Sequence, residues 1–182
     1  SPQLHIKLIN NKMSKFLKFN VPIGICYPVG NDPKGIHRYC LCATQKIVKR
    51  FRLSKSREMF LVVRGSSGTI LAGGILQTMA IYYPDIPCKI SVSRKSKAHS
   101  SSLSNYYDYG DSFTVVIDDF METGNTILSI LNDLDSESNY CNIKYDLLVI
   151  ANSYECIKHP LEKRALAFNY ILTRFNQIIV NK

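Results

Sequence analysis

Four short apolar runs set the limits on what this chain can become. They are Phe60–Arg64 (FLVVR), Lys89–Ser93 (KISVS), Phe113–Asp118 (FTVVID) and Tyr145–Ala151 (YDLLVIA). Three of them are near-continuous in apolar residues rather than alternating. Such runs belong to strands covered on both faces, the condition of a parallel sheet packed between helices. Between the runs, apolar residues fall at helical spacing. Thr69–Met79 (TILAGGILQTM) follows the first run, Ile127–Leu134 (ILSILNDL) follows the third, and His37–Arg52 carries Leu41, Val48 and Phe51 on one side. After Pro160, the residues Leu161, Ala165, Phe168, Leu172 and Phe175 recur at i, i+4, i+7, i+11 and i+14, which predicts a closing helix. Strands alternating with helices are βαβ units, so the predicted fold class is α/β. Ser96–Asp111 is rich in Ser, Tyr and Asn and has no usable period; it reads as a long exposed loop.

The chain has 182 residues, 23 basic and 14 acidic, for a net charge of +9. The charges are partitioned. Lys34 to Arg57 and Lys89 to Lys97 contain bases and no acid, whereas Asp108 to Asp146 contains acids and a single base, Lys144. That pattern suits a ligand that is anionic and also carries a cation or hydroxyls. A plain nucleic-acid-binding domain would leave the acidic block unexplained, and no RNP-like aromatic signature accompanies the bases. No apolar run approaches the length that crosses a bilayer, and Ser1–Asn20 lacks the unbroken apolar stretch of a secretory signal. Six cysteines form no CxxC pair and four histidines form no HExxH, so free thiols, no zinc site and a reducing, cytoplasmic compartment are expected.

The segment that carries chemistry is Val115–Thr126, VVIDDFMETGNT. An apolar strand ends in two adjacent carboxylates, Asp118 and Asp119. Three residues later Thr123-Gly124-Asn125-Thr126 opens a helix. In an open α/β sheet, ligands bind beyond the carboxyl ends of the strands. Adjacent residues point to opposite sides, so one acid can face a ligand while the other acts through water or a metal. The glycine lets the backbone approach closely, and two threonine hydroxyls and the free N–H groups of a helix start make a phosphate cradle. Each half alone is ordinary; the two halves joined at this spacing are specific.

This segment resembles the motif that binds 5-phosphoribosyl 1-diphosphate in type I phosphoribosyltransferases: a hydrophobic strand, two acids, three residues, Thr-Gly-x-Thr. The resemblance implies that family's parallel sheet flanked by helices, with a small N-terminal hood in residues 1–55 and a core in 56–182, together one compact domain. It covers about Phe60 to Leu134 and the strand at 145–151. Arg64-Gly65-Ser66-Ser67, in the turn after the first strand, resembles the family's diphosphate loop. Arg94-Lys95-Ser96-Lys97-Ala98-His99 resembles the mobile catalytic loop of orotate phosphoribosyltransferases, with the Lys-x-His step kept and its distance from Arg-Lys one residue shorter.

The activity so implied is displacement of diphosphate from C1 of the donor by a ring nitrogen of a nucleobase, in nucleotide salvage or synthesis. Asp118 and Asp119 would hold the ribose hydroxyls. Met121, Glu122, Thr123, Gly124, Asn125 and Thr126 would hold the 5′-phosphate. Arg64, Gly65, Ser66 and Ser67 would hold the diphosphate, helped by Arg94, Lys95, Lys97 and His99. Mg2+ would arrive with the donor, carried by its oxygens and touching Asp118 or Asp119 at most. Glu122 has two readings, a general base near a purine nitrogen or an acid placed favourably at a helix start. Tyr154 likewise either stacks on a base or packs after its strand. The basic loop leans towards orotate and Glu122 towards a purine; the lysine that reads a 6-oxopurine at the next strand end is missing, the nearest being Lys158. A homodimer is implied by the same resemblance, and no nucleic acid or membrane partner. The competing reading is a non-catalytic regulator of the same fold that binds the donor or a nucleotide.

Overall fold

The computed structural model describes residues 31–94, 102–119, 121, 123–140, 142–153 and 162–181. Its elements run α1 (Pro33–Leu53), β1 (Glu58–Val63), α2 (Ser66–Tyr82), β2 (Cys88–Val92), β3 (Ser112–Asp118), α3 (Asn125–Ser138), β4 (Tyr145–Ser153), α4 (Glu162–Thr173) and β5 (Phe175–Asn181). Five strands form one sheet in the order β2-β1-β3-β4-β5, and every pair is parallel. The α/β class read from the apolar runs is the class observed.

Side-chain alternation divides the sheet's two faces. Met59, Leu61, Val63, Val115, Ile117, Leu147 and Val149 pack against α1 and α2. Phe60, Val62, Val116, Leu148 and Ile150 pack against α3 and α4. Both faces are covered, so β3 is buried at every position, which is why its sequence is continuously apolar. Helix α1 joins the first of these cores through Tyr39, Ala43, Ile47 and Phe51. Asp32 starts it, its Oδ1 accepting from the Gly35 amide at 2.9 Å, and Pro33 fits the first turn, where an amide would be unpaired. Of the expected hood, residues 1–30 lie outside the described residues.

Two expectations change. The helical pattern extended through Phe175, but α4 ends at Thr173 and Phe175 opens β5. The Arg174 amide closes a tight turn on the Ile171 carbonyl at 3.0 Å. The chain then runs into Ile178, Ile179 and Val180, a β-branched stretch with residues buried on both faces of the sheet beside β4. Phe175 kept the helical spacing only by coincidence of register.

The second change concerns the connection from β2 to β3. Its described part, 102–111, is not simply exposed: Leu103 and Tyr107 are buried in the core under α3 and α4. The Tyr107 ring lies 4.9 Å from that of Phe60, and its hydroxyl shares a 2.8 Å hydrogen bond with Thr114 Oγ1. Leu103 also bridges antiparallel to Ser93. Widely spaced anchors of this kind have no period that a window could detect.

At the opposite end of the sheet from the strand termini that matter below, Arg174 is buried, with its guanidinium on Asp135 of α3 and on the Ile143 carbonyl, the latter at 2.8 Å. The Tyr145 hydroxyl donates to the same carboxylate at 2.7 Å. Removing the cation would leave the half-buried Asp135 carboxylate with the Tyr145 hydroxyl but without its counter-charge. Arg174→Met should therefore destabilise the protein by about 3–5 kcal/mol in urea unfolding, whereas a loss under about 1 kcal/mol would show that the cluster is solvated.

Candidate functional site

The strand order reverses direction between β1 and β3: the chain leaves β1 towards β2 on one side, and β3 lies on the other. The loops leaving the two strands therefore part, and a crevice opens between them at the sheet's C-terminal edge. Val62 pairs with Val116. Two residues further on, Arg64 and Asp118 leave adjacent strands side by side. Both motif turns singled out in the sequence thus meet at this switch point, although 54 residues separate them.

On the β3 side the site is continuous. Asp118, Asp119, Met121, Thr123, Gly124, Asn125 and Thr126 line one cavity of about 260 Å3. Gly124 stands before the first turn of α3 at φ 80°, and a Cβ there would lie 2.7 Å from Ile171 Cδ1. Left-handed backbone and close packing on α4 both demand glycine. No side chain caps this helix start, and its first turn as described holds no acid. Apart from the Asn125 amide, its leading amides have no side-chain acceptor among the described residues, an arrangement suited to an anion. Thr123 is exposed, with its Oγ1 accepting from the Asn125 amide at 3.3 Å. Met121 is buried in the core.

On the β1 side, Gly65 stands before α2 at φ 90°, again with no side-chain cap. Gly65 and Ser66 are exposed and Ser67 half-buried. Gly68 lets the helix start approach β3, because a Cβ there would lie 3.3 Å from the Ile117 carbonyl oxygen. Two uncapped helix starts, α2 and α3, therefore flank one crevice and add their positive ends.

The acids between them are electrostatically frustrated. Asp118 is 5% exposed, and its Oδ1 accepts from the Asp119 amide at 2.9 Å. Burial, then a side-chain hydrogen bond with Asp119, then that neighbour's charge push the Asp118 carboxyl well above the usual carboxylate range. Asp118 is buried and Asp119 half-buried, so the pair is relieved either by keeping a proton on Asp118 or by a cation. Among the described residues no group of three or more His, Cys, Asp or Glu could hold a metal. The pair fits an ion that brings most of its oxygen ligands with it, as magnesium does with a phosphorylated substrate.

The Arg64 side chain is held within the protein by one of its nitrogens. Its Nη1 donates to Ser93 Oγ at 2.9 Å and to the Arg94 carbonyl at 3.4 Å, and lies 3.6 Å from Asp133 Oδ2. Among the described residues the open donors here are the turn's backbone amides and Arg64 Nε and Nη2. Asp133 and Ser93 escaped sequence reading because they are 40 residues apart and belong to no local pattern. Arg94 is half-buried, and its amide donates to the Ser102 carbonyl at 2.8 Å. Lys95, Lys97, His99, Glu122 and Tyr154 lie outside the described residues. Cys40, Cys42 and Cys88 are free thiols. No helix among the described residues is long and apolar enough to cross a membrane.

Solved structures similar to this chain include three phosphoribosyltransferases. Hypoxanthine-guanine phosphoribosyltransferase from Schistosoma mansoni, in complex with IMP, aligns at 16% identity and TM-score 0.40 over 81% of this chain and 65% of that one. A hypoxanthine phosphoribosyltransferase from Staphylococcus aureus aligns at 19% identity and TM-score 0.38 over 62% of each chain. A hypoxanthine-guanine phosphoribosyltransferase from Bacillus anthracis aligns at 10% identity and TM-score 0.42 over 80% of this chain and 79% of that one. No protein-family model matches the sequence, and no curated protein is similar to it at a significant level.

Two outcomes follow from this geometry. Gly124→Ala should cost about 1–2 kcal/mol from the left-handed backbone, with Ile171 displaced in addition; thermal denaturation reads it. The folded state holds a proton on Asp118 to higher pH than the unfolded chain does, so this residue's contribution to stability falls as pH rises from the ordinary carboxylate range through the raised folded value. Asp118→Asn should then melt above wild type near about pH 8 and level with it near about pH 4. A variant less stable at both would show that the carboxylate is stabilised by its surroundings.

Proposed function

We propose that the chain is a type I phosphoribosyltransferase, transferring the 5-phosphoribosyl group from 5-phosphoribosyl 1-diphosphate to a nucleobase. The observation that carries this reading is one cavity beyond the end of β3, beside the β1/β3 switch point, lined by both the acid pair and the Gly124 turn. A ribose phosphate has the matching asymmetry: neutral hydroxyls that donate to carboxylates, and a dianion that accepts from helix-start amides.

In the reaction the C1–O bond to diphosphate breaks and a C1–N bond to the base forms. Positive charge grows on the sugar ring and negative charge on the leaving group. Asp118 and Asp119, on the ribose side, stabilise the first. The α2 start and the amides of Gly65, Ser66 and Ser67 stabilise the second. The chain supplies little covalent chemistry; it positions two reactants and holds charge. Asp118 and Asp119 would hold magnesium together with donor oxygens, and the ion would neutralise the leaving diphosphate. Arg94, Lys95, Lys97 and His99 are assigned to the diphosphate as well, and Glu122 to the base or to the α3 start. The competing regulator would use the same cavity to bind the donor without turnover.

The test is a panel of bases, including hypoxanthine, guanine, adenine and orotate, incubated with donor and magnesium and read by mass spectrometry for a nucleoside monophosphate. Donor binding without product from any base would favour the regulator. Asp118→Asn with Asp119→Asn should abolish donor binding. Binding should also draw the raised Asp118 carboxyl into its ionised form. Calorimetry near about pH 7 should therefore show proton release, as an enthalpy that changes with the buffer's ionisation heat. A buffer-independent enthalpy would remove the acid pair from the site.

A further inference from the structure

Arg64 stands next to the acid pair and yet does not pair with it. It leaves β1 beside Asp118, and its two-residue alternation with Phe60 and Val62 puts it on the α3 side of the sheet. An arginine beside a buried, raised carboxyl would ordinarily bind it. Here Asp133 of α3 competes successfully. That carboxylate is largely shielded, with 13% of its side chain exposed against 21% for Arg64. It also accepts a short hydrogen bond from Ser93 Oγ, at the end of β2. Ser93 in turn accepts from Arg64. The three form a closed triangle across β1, β2 and α3.

All of these contacts use one nitrogen. Nη1 meets Ser93, Asp133 and the Arg94 carbonyl. Among the described residues, Nε and Nη2 have no partner. Those two nitrogens form the side of the guanidinium that binds oxyanions in a two-pronged fashion. Resting on the phosphoribosyltransferase reading above, we infer that Asp133 and Ser93 are positioning residues for Arg64. They hold its guanidinium by Nη1, off Asp118, and leave the Nε/Nη2 edge as a preset donor pair for the diphosphate oxygens. The device also ties that donor to α3, whose other end cradles the 5′-phosphate. The distance between the two anion subsites is then set by one rigid helix rather than by two loops.

The experiment separates the two subsites. Magnesium diphosphate and ribose 5-phosphate are titrated calorimetrically into wild type, Asp133→Asn and Ser93→Ala. Asp133→Asn should weaken diphosphate by about tenfold or more and leave ribose 5-phosphate within about twofold; Ser93→Ala should weaken diphosphate by about threefold. Diphosphate affinity unchanged in both variants, or both ligands weakened equally, would overturn the inference, the latter marking a purely structural triangle. If Asp133→Asn does not fold, Ser93→Ala is read by the same criterion. Wild type that binds ribose 5-phosphate but no diphosphate would sink this inference and leave the phosphate cradle standing. Wild type that binds neither would sink the transferase reading itself.

Discussion

The burial of β3 on both faces is the constraint from which the rest follows. A strand enclosed at every position has only its ends available for polar chemistry, and its amino end is taken up by packing and by the incoming connection. Its carboxyl end, at Asp118, is where the apolar run must stop. It stops at a point where the sheet itself divides, because β1 sends its chain to one side and β3 to the other. The crevice is a consequence of strand order and needs no dedicated pocket-forming segment.

Placing Asp118 and Asp119 there is unfavourable for the isolated fold. Burial and the neighbouring Asp119 push the Asp118 carboxyl well above the usual carboxylate range. The nearest guanidinium, Arg64, is held instead by Asp133 and Ser93. The local strain at Gly124 and Gly65, both at positive φ, has the same character. Each turn aims helix-start amides at the crevice at a conformational cost that glycine minimises. The proposed function calls for a ligand that would meet both the acids and the amides, one carrying a metal-bound diphosphate and a sugar phosphate.

Much of this was legible in residue order because it is local. The strand ending in Asp118-Asp119, the glycine two residues before a helix's first threonine, and the Gly-Ser turn after β1 are contiguous segments, and contiguous segments carry their own periodicity and turn chemistry. The boundary between α4 and β5 was not legible, since Phe175 satisfies the helical spacing and the strand beyond it is chosen by the open edge of β4. Nor was the anchoring of Leu103 and Tyr107, which depends on a core built by distant strands.

By itself, the sequence determined the parallel α/β class, the identity of the strand that carries the acids and the turn chemistry of both anion-ready loops, because backbone preference and hydrophobic period act over a few neighbouring residues. Tertiary structure alone decided which turns share a crevice, how far burial raises Asp118, and that Arg64 is held by Asp133 rather than by the acids beside it. Those outcomes depend on distances between segments far apart in the chain, and electrostatic and packing energies act through space rather than along the backbone.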